Sequence, residues 1–347
     1  MASIDATELI ERYTAGERDF SGMDLQGLRL HGAVLDQADL LNVNLSEGYL
    51  NHSSLAFACL LRANLRKVTM VDTRLWGANL NQANLSHGNF RNSDLHGATL
   101  QEAQLFQANL SWAVLVDANL LSTDLRGVDL TSANLTAACL YGANLRIDRV
   151  GEGTGNPTRP RPANLTNAIL CKADLRGANF TGANLYRADL RWADLTNAIF
   201  VGADLREVKL QGALMDNTFF TEANLSYGTF TGAVMTNVKA ERALLVDAEL
   251  QGVNLTDSVL PDVKASRSQW QGANLANVNL IRADLSRSDM TGVNLRGANL
   301  IEAYLARTNL TKADLSRALL NRAEISSTNF TETIFAGTTM PDGQIRK

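Results

Sequence analysis

The groups that could carry chemistry in this 347-residue chain are four histidines, three cysteines and 36 carboxylates. A metal site needs several such groups converging at ligand-like spacing, and a His-based nucleophile needs a base within reach of a hydroxyl or thiol. His31, His52, His87 and His96 show no repeated ligand spacing and have no adjacent cysteine. The aspartates recur so regularly, often directly before a leucine, that choosing two as an acid/base pair would be arbitrary. No phosphate-cradling GxxxxGK[ST] run is present. The expectation is a non-enzymatic protein with no catalytic residue, no metal and no cofactor.

A five-residue pattern positions the carboxylates. From Phe20 to Leu145 every fifth residue is Leu, Phe or Met without exception. The residue two before each centre is mostly small, as at Ala38, Ala78, Ala108 and Ala143, and Asp or Asn often comes directly before the centre. Five helical residues would smear the apolar positions around a helix, and five strand residues would flip face each time. The chain must therefore bend once per repeat. Short extended pieces joined by turns put the centre and the small residue inside and the other three outside, with Asp, Asn and Gly serving the turns.

Residues 173–197 read ADLRG, ANFTG, ANLYR, ADLRW, ADLTN. This pattern resembles the pentapeptide-repeat family over nearly the whole chain, and Leu9 to Phe20 together with Met340-Pro341-Asp342-Gly343 resemble its cyanobacterial members. The resemblance implies an all-β fold: a right-handed quadrilateral parallel β-helix, four pentapeptides per 20-residue coil. Ile4 to Ala15 has helical spacing, with Asp5 as N-cap, Ile4 able to staple onto Leu9 and Gly16 as a stop, so a short N-terminal capping α-helix is expected. The expected organisation is a capping helix over 1–19, a first β-helix block over 20–145, a loop insertion over 146–162, a second block over 163–340 and a tail over 341–347. Stacked, the coils would make a rod roughly 75 Å long. Cys59 and Cys139, four coils apart, would lie roughly 19 Å from each other, too far for a disulfide. Pro341 and the charged tail would blunt the last open edge.

On that reading residues 20 apart stack as neighbours, and outward columns follow. Glu222, Arg242, Asp262, Arg282, Glu302, Arg322 and Asp342 alternate in sign, which reads as a structural ladder. Arg267, Arg287 and Arg307 form a candidate anion column. The position before the centre turns apolar at Ile199, Leu214, Phe219, Val234, Leu244 and Val259, and the irregular centres Ala240, Ala265 and Trp270 fall in or beside the same region. Ile199, Leu214, Phe219, Val234 and Val259 are the candidate interaction surface, weighed against local packing. The Gly/Pro/Arg-rich segment 146–162 carries Arg146, Arg149, Arg159 and Arg161 as a candidate recognition loop, set against a tolerated insertion. It either replaces three sides of one coil or leaves from a corner. Trp76 with Phe57, and Trp112 and Trp192, read as outward surface aromatics that need no special function.

Net charge is -4, with 9 basic and 15 acidic groups in residues 1–145 and 19 of each in residues 163–347. So mild an imbalance argues against a nucleic-acid partner. The absence of a long apolar run argues against membrane insertion, and the odd cysteine count suits a reducing compartment, hence a cytoplasmic protein. The expected function is a scaffold or protein-protein interaction module binding another protein along its long faces, a monomer rather than a dimer. The alternative is a DNA-mimicking modulator of DNA gyrase, as in some members of the family, although those are acidic dimers and the second block here is neutral.

Overall fold

The computed structural model describes residues 4–147 and 161–346. The chain divides into two compact units, residues 1–184 and 185–347.

Both units are built from one hydrogen-bonding scheme, which Ala38-Asp39-Leu40-Leu41-Asn42 illustrates. Leu40 N–H donates to Cys59 O (2.8 Å) and Asn42 N–H to Leu61 O (3.0 Å) in the next coil, while Asp39 N–H donates to Arg18 O (2.7 Å) in the previous one. The small residue of the following repeat closes the turn, Val43 N–H to Leu40 O at 3.1 Å. Four of the five backbone donors are thus used by backbone. The fifth, Leu41 N–H, is taken by the Asp39 side chain at 3.0 Å. Asp and Asn before the centre therefore complete the backbone accounting of each repeat, the local turn role expected of them. The residue two after the centre sits at positive φ whether it is Gly22 (64°), Asn42 (54°) or Trp112 (64°). A left-handed residue costs about 1–2 kcal/mol when it is not glycine. The inter-coil hydrogen bond it makes offsets that, and its side chain is thrown outward at the corner.

In the first unit parallel bridges link residues 20 apart, from Asp19 with Asp39 to Asp124 with Asn144. Four such bridge columns per coil give four sides. Centres and small residues are buried throughout, with Leu40, Leu60, Ala38 and Ala58 fully inaccessible. Helix α1, Ala6–Thr14, covers the start of this stack. Asp5 accepts from Glu8 N–H at 2.8 Å, Leu9 is buried, and Tyr13 Oη donates to Asp36 O at 2.9 Å. Gly16 N–H to Tyr13 O and Glu17 N–H to Arg12 O end the helix in a Schellman motif around Gly16 at φ 101°.

Across residues 146–162 the register changes. Asn144 pairs with Asn179, 35 residues on, and Asn164 pairs with Asp129, the place that residue 149 would hold in an unbroken repeat. One side of a coil, not four, separates Asn144 from Asn164, so the segment joins the stack at a corner and the face phase shifts.

The second unit repeats the scheme from Asp189 with Lys209 to Leu319 with Thr339. Its irregular centres are connected: the Trp270 indole N–H donates to Ser268 Oγ (2.6 Å), and Ser268 and Ser288 hydroxyls both donate to Ala265 O. Strands β1, Thr338–Thr339, and β2, Ile345–Arg346, form an antiparallel pair. The tail thus folds back through Pro341 to Gly343 and covers one stretch of the last edge.

Candidate interaction face

Hydrogen-bond accounting locates the candidate face more sharply than hydrophobicity does. Along most of the second unit the residue before the centre accepts from the first turn N–H, as in Thr196 N–H to Asp194 (3.0 Å), Ser286 N–H to Asp284 (3.0 Å) and Ile301 N–H to Asn299 (3.2 Å). Between residues 199 and 269, among the described residues, only Asp204, Asn224 and Asn254 make that bond. The backbone N–H groups of Val201, Asp216, Thr221, Thr236, Glu241 and Val246 have no acceptor there. The buried side-chain atoms without partners, Gln211 Oε1, Thr229 Oγ1 and Gln271 Oε1, fall in or beside the same band.

Ile199, Phe219, Lys239 and Val259 are bridged in sequence as one column on one side of the stack. Ile199, Phe219 and Val259 are half-buried, while Lys239 is exposed and holds its Nζ 5.1 Å from the Phe219 ring centre. The apolar column is therefore interrupted by a cation. Leu214 and Val234 are bridged to each other on the adjoining side, with Leu214 45% exposed, and Leu244 lies between Asn224 and Lys264 on a third. Sequence reading by the position before the centre missed a second apolar column on the first side: Val201, Pro261, Ile281 and Ile301, each one residue after a centre and half-buried. Its signal was the 20-residue spacing of Pro261, Ile281 and Ile301 at a turn position usually treated as variable, with Thr221 and Glu241 separating them from Val201. This column adjoins the charge ladder, which resolves into three discrete pairs, Arg242 with Glu222 (2.6 Å), Arg282 with Asp262 (2.6 Å) and Arg322 with Glu302 (3.3 Å).

Other expected sites fall elsewhere. In the anion column Arg267 is bound bidentately by Asp247 at 2.8 and 2.6 Å, and its guanidinium holds that carboxyl below the usual carboxylate range. Arg287 and Arg307 are exposed with no carboxylate within 4 Å among the described residues. Of the loop arginines, Arg146 and Arg161 are exposed at its two ends, and Arg149 and Arg159 lie outside the described residues. Among the outward aromatics, the Phe57 and Trp76 rings meet at 5.1 Å, and Trp192 lies over the side-chain-free corner at Gly212. A corner column brings an outward ring onto its neighbour one coil away. His31 and His52 likewise meet at 5.1 Å, and His52 Nδ1 is 3.7 Å from Asp72. No group of three or more His, Cys, Asp or Glu among the described residues is placed to hold a metal.

The family model for pentapeptide repeats matches eight times, over residues 19–51, 49–86, 73–111, 108–146, 163–197, 198–237, 260–297 and 298–337. The chain belongs to the pentapeptide-repeat family. Membership implies the right-handed parallel β-helix of these proteins. The pentapeptide-repeat match leaves 238–259 uncovered, inside the band that lacks the side-chain bond. Among solved structures the chain is similar to HetL, a pentapeptide repeat protein involved in heterocyst differentiation regulation from the cyanobacterium Nostoc sp. strain PCC 7120, at 25% identity over 99% of this chain and 100% of that one, with a TM-score of 0.24. It is similar to Rfr23 from the cyanobacterium Cyanothece 51142 at 26% identity, covering 38% of this chain and 92% of that one, TM-score 0.15. QnrB1, a plasmid-mediated fluoroquinolone resistance protein, matches at 17% identity over 59% and 87% of the two chains, TM-score 0.26. No curated protein matches the chain. No helix among the described residues is long and apolar enough to cross a membrane.

Proposed function

We propose that this pentapeptide-repeat protein is a non-enzymatic scaffold that binds a protein partner on the side of the second unit carrying Ile199, Phe219 and Val259. One observation carries this reading: the residues before the centre abandon the Asp or Asn that satisfies the turn donor, leaving Val201 and Thr221 N–H without an acceptor among the described residues, beside apolar side chains. An unmade backbone hydrogen bond forfeits about 0.5–1.5 kcal/mol. At a half-exposed position the burial of the apolar side chain roughly offsets that loss, so the repeat itself gains little from the exchange. A partner that lays apolar groups on Phe219 and carbonyls on the open donors recovers both. Leu214 and Val234 extend the surface around the corner.

The test is affinity capture from the source cells with mass spectrometry, comparing the intact protein with Phe219→Asn, which restores the turn acceptor while removing the ring. A partner captured by the wild type, lost with Phe219→Asn and shown to bind the purified protein directly supports the reading. An identical captured set for both proteins refutes it.

A further inference from the structure

Corner residues in this fold stack one coil apart, and a recurring arrangement pairs several of their cations with a carboxylate in the adjoining coil. Lys67 sits beside Glu47 (3.2 Å), Arg187 beside Glu207 (2.7 Å), Arg242 beside Glu222 (2.6 Å) and Arg282 beside Asp262 (2.6 Å), each cation with a carboxylate one coil away. Arg267 shares it through Asp247. Arg287 and Arg307, like Arg62 and Arg317, have no carboxylate within 4 Å among the described residues, but Arg287 and Arg307 adjoin each other. They follow Arg267 at the same corner in successive coils, at φ 60°, 60° and 61°, with Arg267 N–H bonded to Ser286 O and Arg287 N–H to Ala306 O. Three guanidiniums leave one corner about 4.8 Å apart, an arrangement that like-charge repulsion disfavours. Only the first is neutralised.

Beside this corner runs an open groove of about 550 Å³. Ser286 and Ala306 are its small near wall, Lys264, Asp284 and Tyr304 form its floor, and the Asp262–Arg282 pair is its far rim. The Asp284 carboxylate already accepts from Ser286 N–H (3.0 Å) and Oγ (2.6 Å). Lys264 is exposed, and Tyr304 is 55% exposed.

We propose that the Arg287–Arg307 corner and its groove form a second recognition surface, one that takes an extended acidic segment of a partner protein. Charge complementarity selects an anion. The width of the surface selects a peptide: Asp284 on one side and Asp289 on the other confine the positive line to a single corner. A file of side-chain carboxylates fits that line, whereas a single strand would find one aromatic platform, Tyr304, rather than a series. This surface lies on a different side from Phe219 and is independent of the function proposed above.

A fluorescein-labelled hexaglutamate peptide is titrated with the full chain by anisotropy at low salt, with hexaglutamine and oligothymidylate as comparison probes. Hexaglutamate binds the wild type and weakens as salt rises. Arg287→Gln with Arg307→Gln weakens it roughly tenfold, the effect of losing two exposed charge contacts. Arg242→Gln with Arg322→Gln removes the same charge from a paired corner and leaves binding within about twofold, as does Phe219→Asn. Circular dichroism verifies that each variant is folded. Absence of hexaglutamate binding, equal loss in both double variants, or oligothymidylate binding as tightly as hexaglutamate overturns the proposal. The last outcome would make the corner a nucleic-acid surface.

Discussion

Replacing Leu214 by Asn separates a partner surface from local packing. Leu214 is 45% exposed, so roughly half of the about 1.5–3 kcal/mol from fully burying a leucine is at stake, near 1 kcal/mol. Asn at this position supplies the acceptor that Asp194 supplies one coil below, where Thr196 N–H donates at 3.0 Å. The Asp216 N–H, which has no acceptor among the described residues, gains a hydrogen bond of about 0.5–1.5 kcal/mol. The two changes nearly cancel, and Leu214→Asn should leave the urea midpoint almost unmoved. Hydrogen exchange reads the new bond directly: the Asp216 amide should exchange roughly fivefold more slowly, the equivalent of about 1 kcal/mol. The reverse exchange, Asn274→Leu, should destabilise by about 1–3 kcal/mol, because Asn274 accepts from Ala276 N–H (3.3 Å) and Asn294 Nδ2 (2.8 Å) and donates to Thr256 Oγ1 (2.9 Å). A loss above about 3 kcal/mol for Leu214→Asn, in the range of core truncations, would show that Leu214 is held by its neighbours. An unchanged Asp216 exchange rate would refute the hydrogen-bond accounting itself.

Two further outcomes follow from single contacts. Trp270→Phe should cost about 1–3 kcal/mol in denaturant unfolding, since it removes the indole donor to Ser268 (2.6 Å) and part of the volume that fills the core beside Ala265. Asp262 should contribute part of the pH dependence: the Arg282 hydrogen bond holds its carboxyl below its ordinary 3.8. A carboxylate with a depressed folded pKa contributes stability that is complete above the unfolded value and is lost as pH falls through the folded one. Acid titrations should therefore show constant stability from neutrality to about pH 4 and a decline below it, shallower in Arg282→Gln.

How much of this was legible beforehand depends on the range of the forces involved. The period-five pattern, the inward centres, Asp5 as N-cap and Gly16 as stop were readable because each is a local demand. The alternation from Glu222 to Asp342 was readable too, once a 20-residue coil was assumed from the family resemblance. The open donors at Val201 and Thr221 were not, because an unsatisfied N–H is recognised only after every other donor of the repeat has found its acceptor in the next coil.

The sequence by itself determined a chain that bends every five residues around a Leu and Ala interior, because no helix or strand can bury that spacing. Tertiary structure alone decided which coils meet. It put Asn164 beside Asp129 and so shifted the face phase, set Lys239 over Phe219, and left Arg287 and Arg307 without the carboxylate that Asp247 gives Arg267. The physical reason is that repeat identity fixes direction inward or outward, whereas pairing between side chains depends on register between coils, a long-range quantity that a local pattern does not carry.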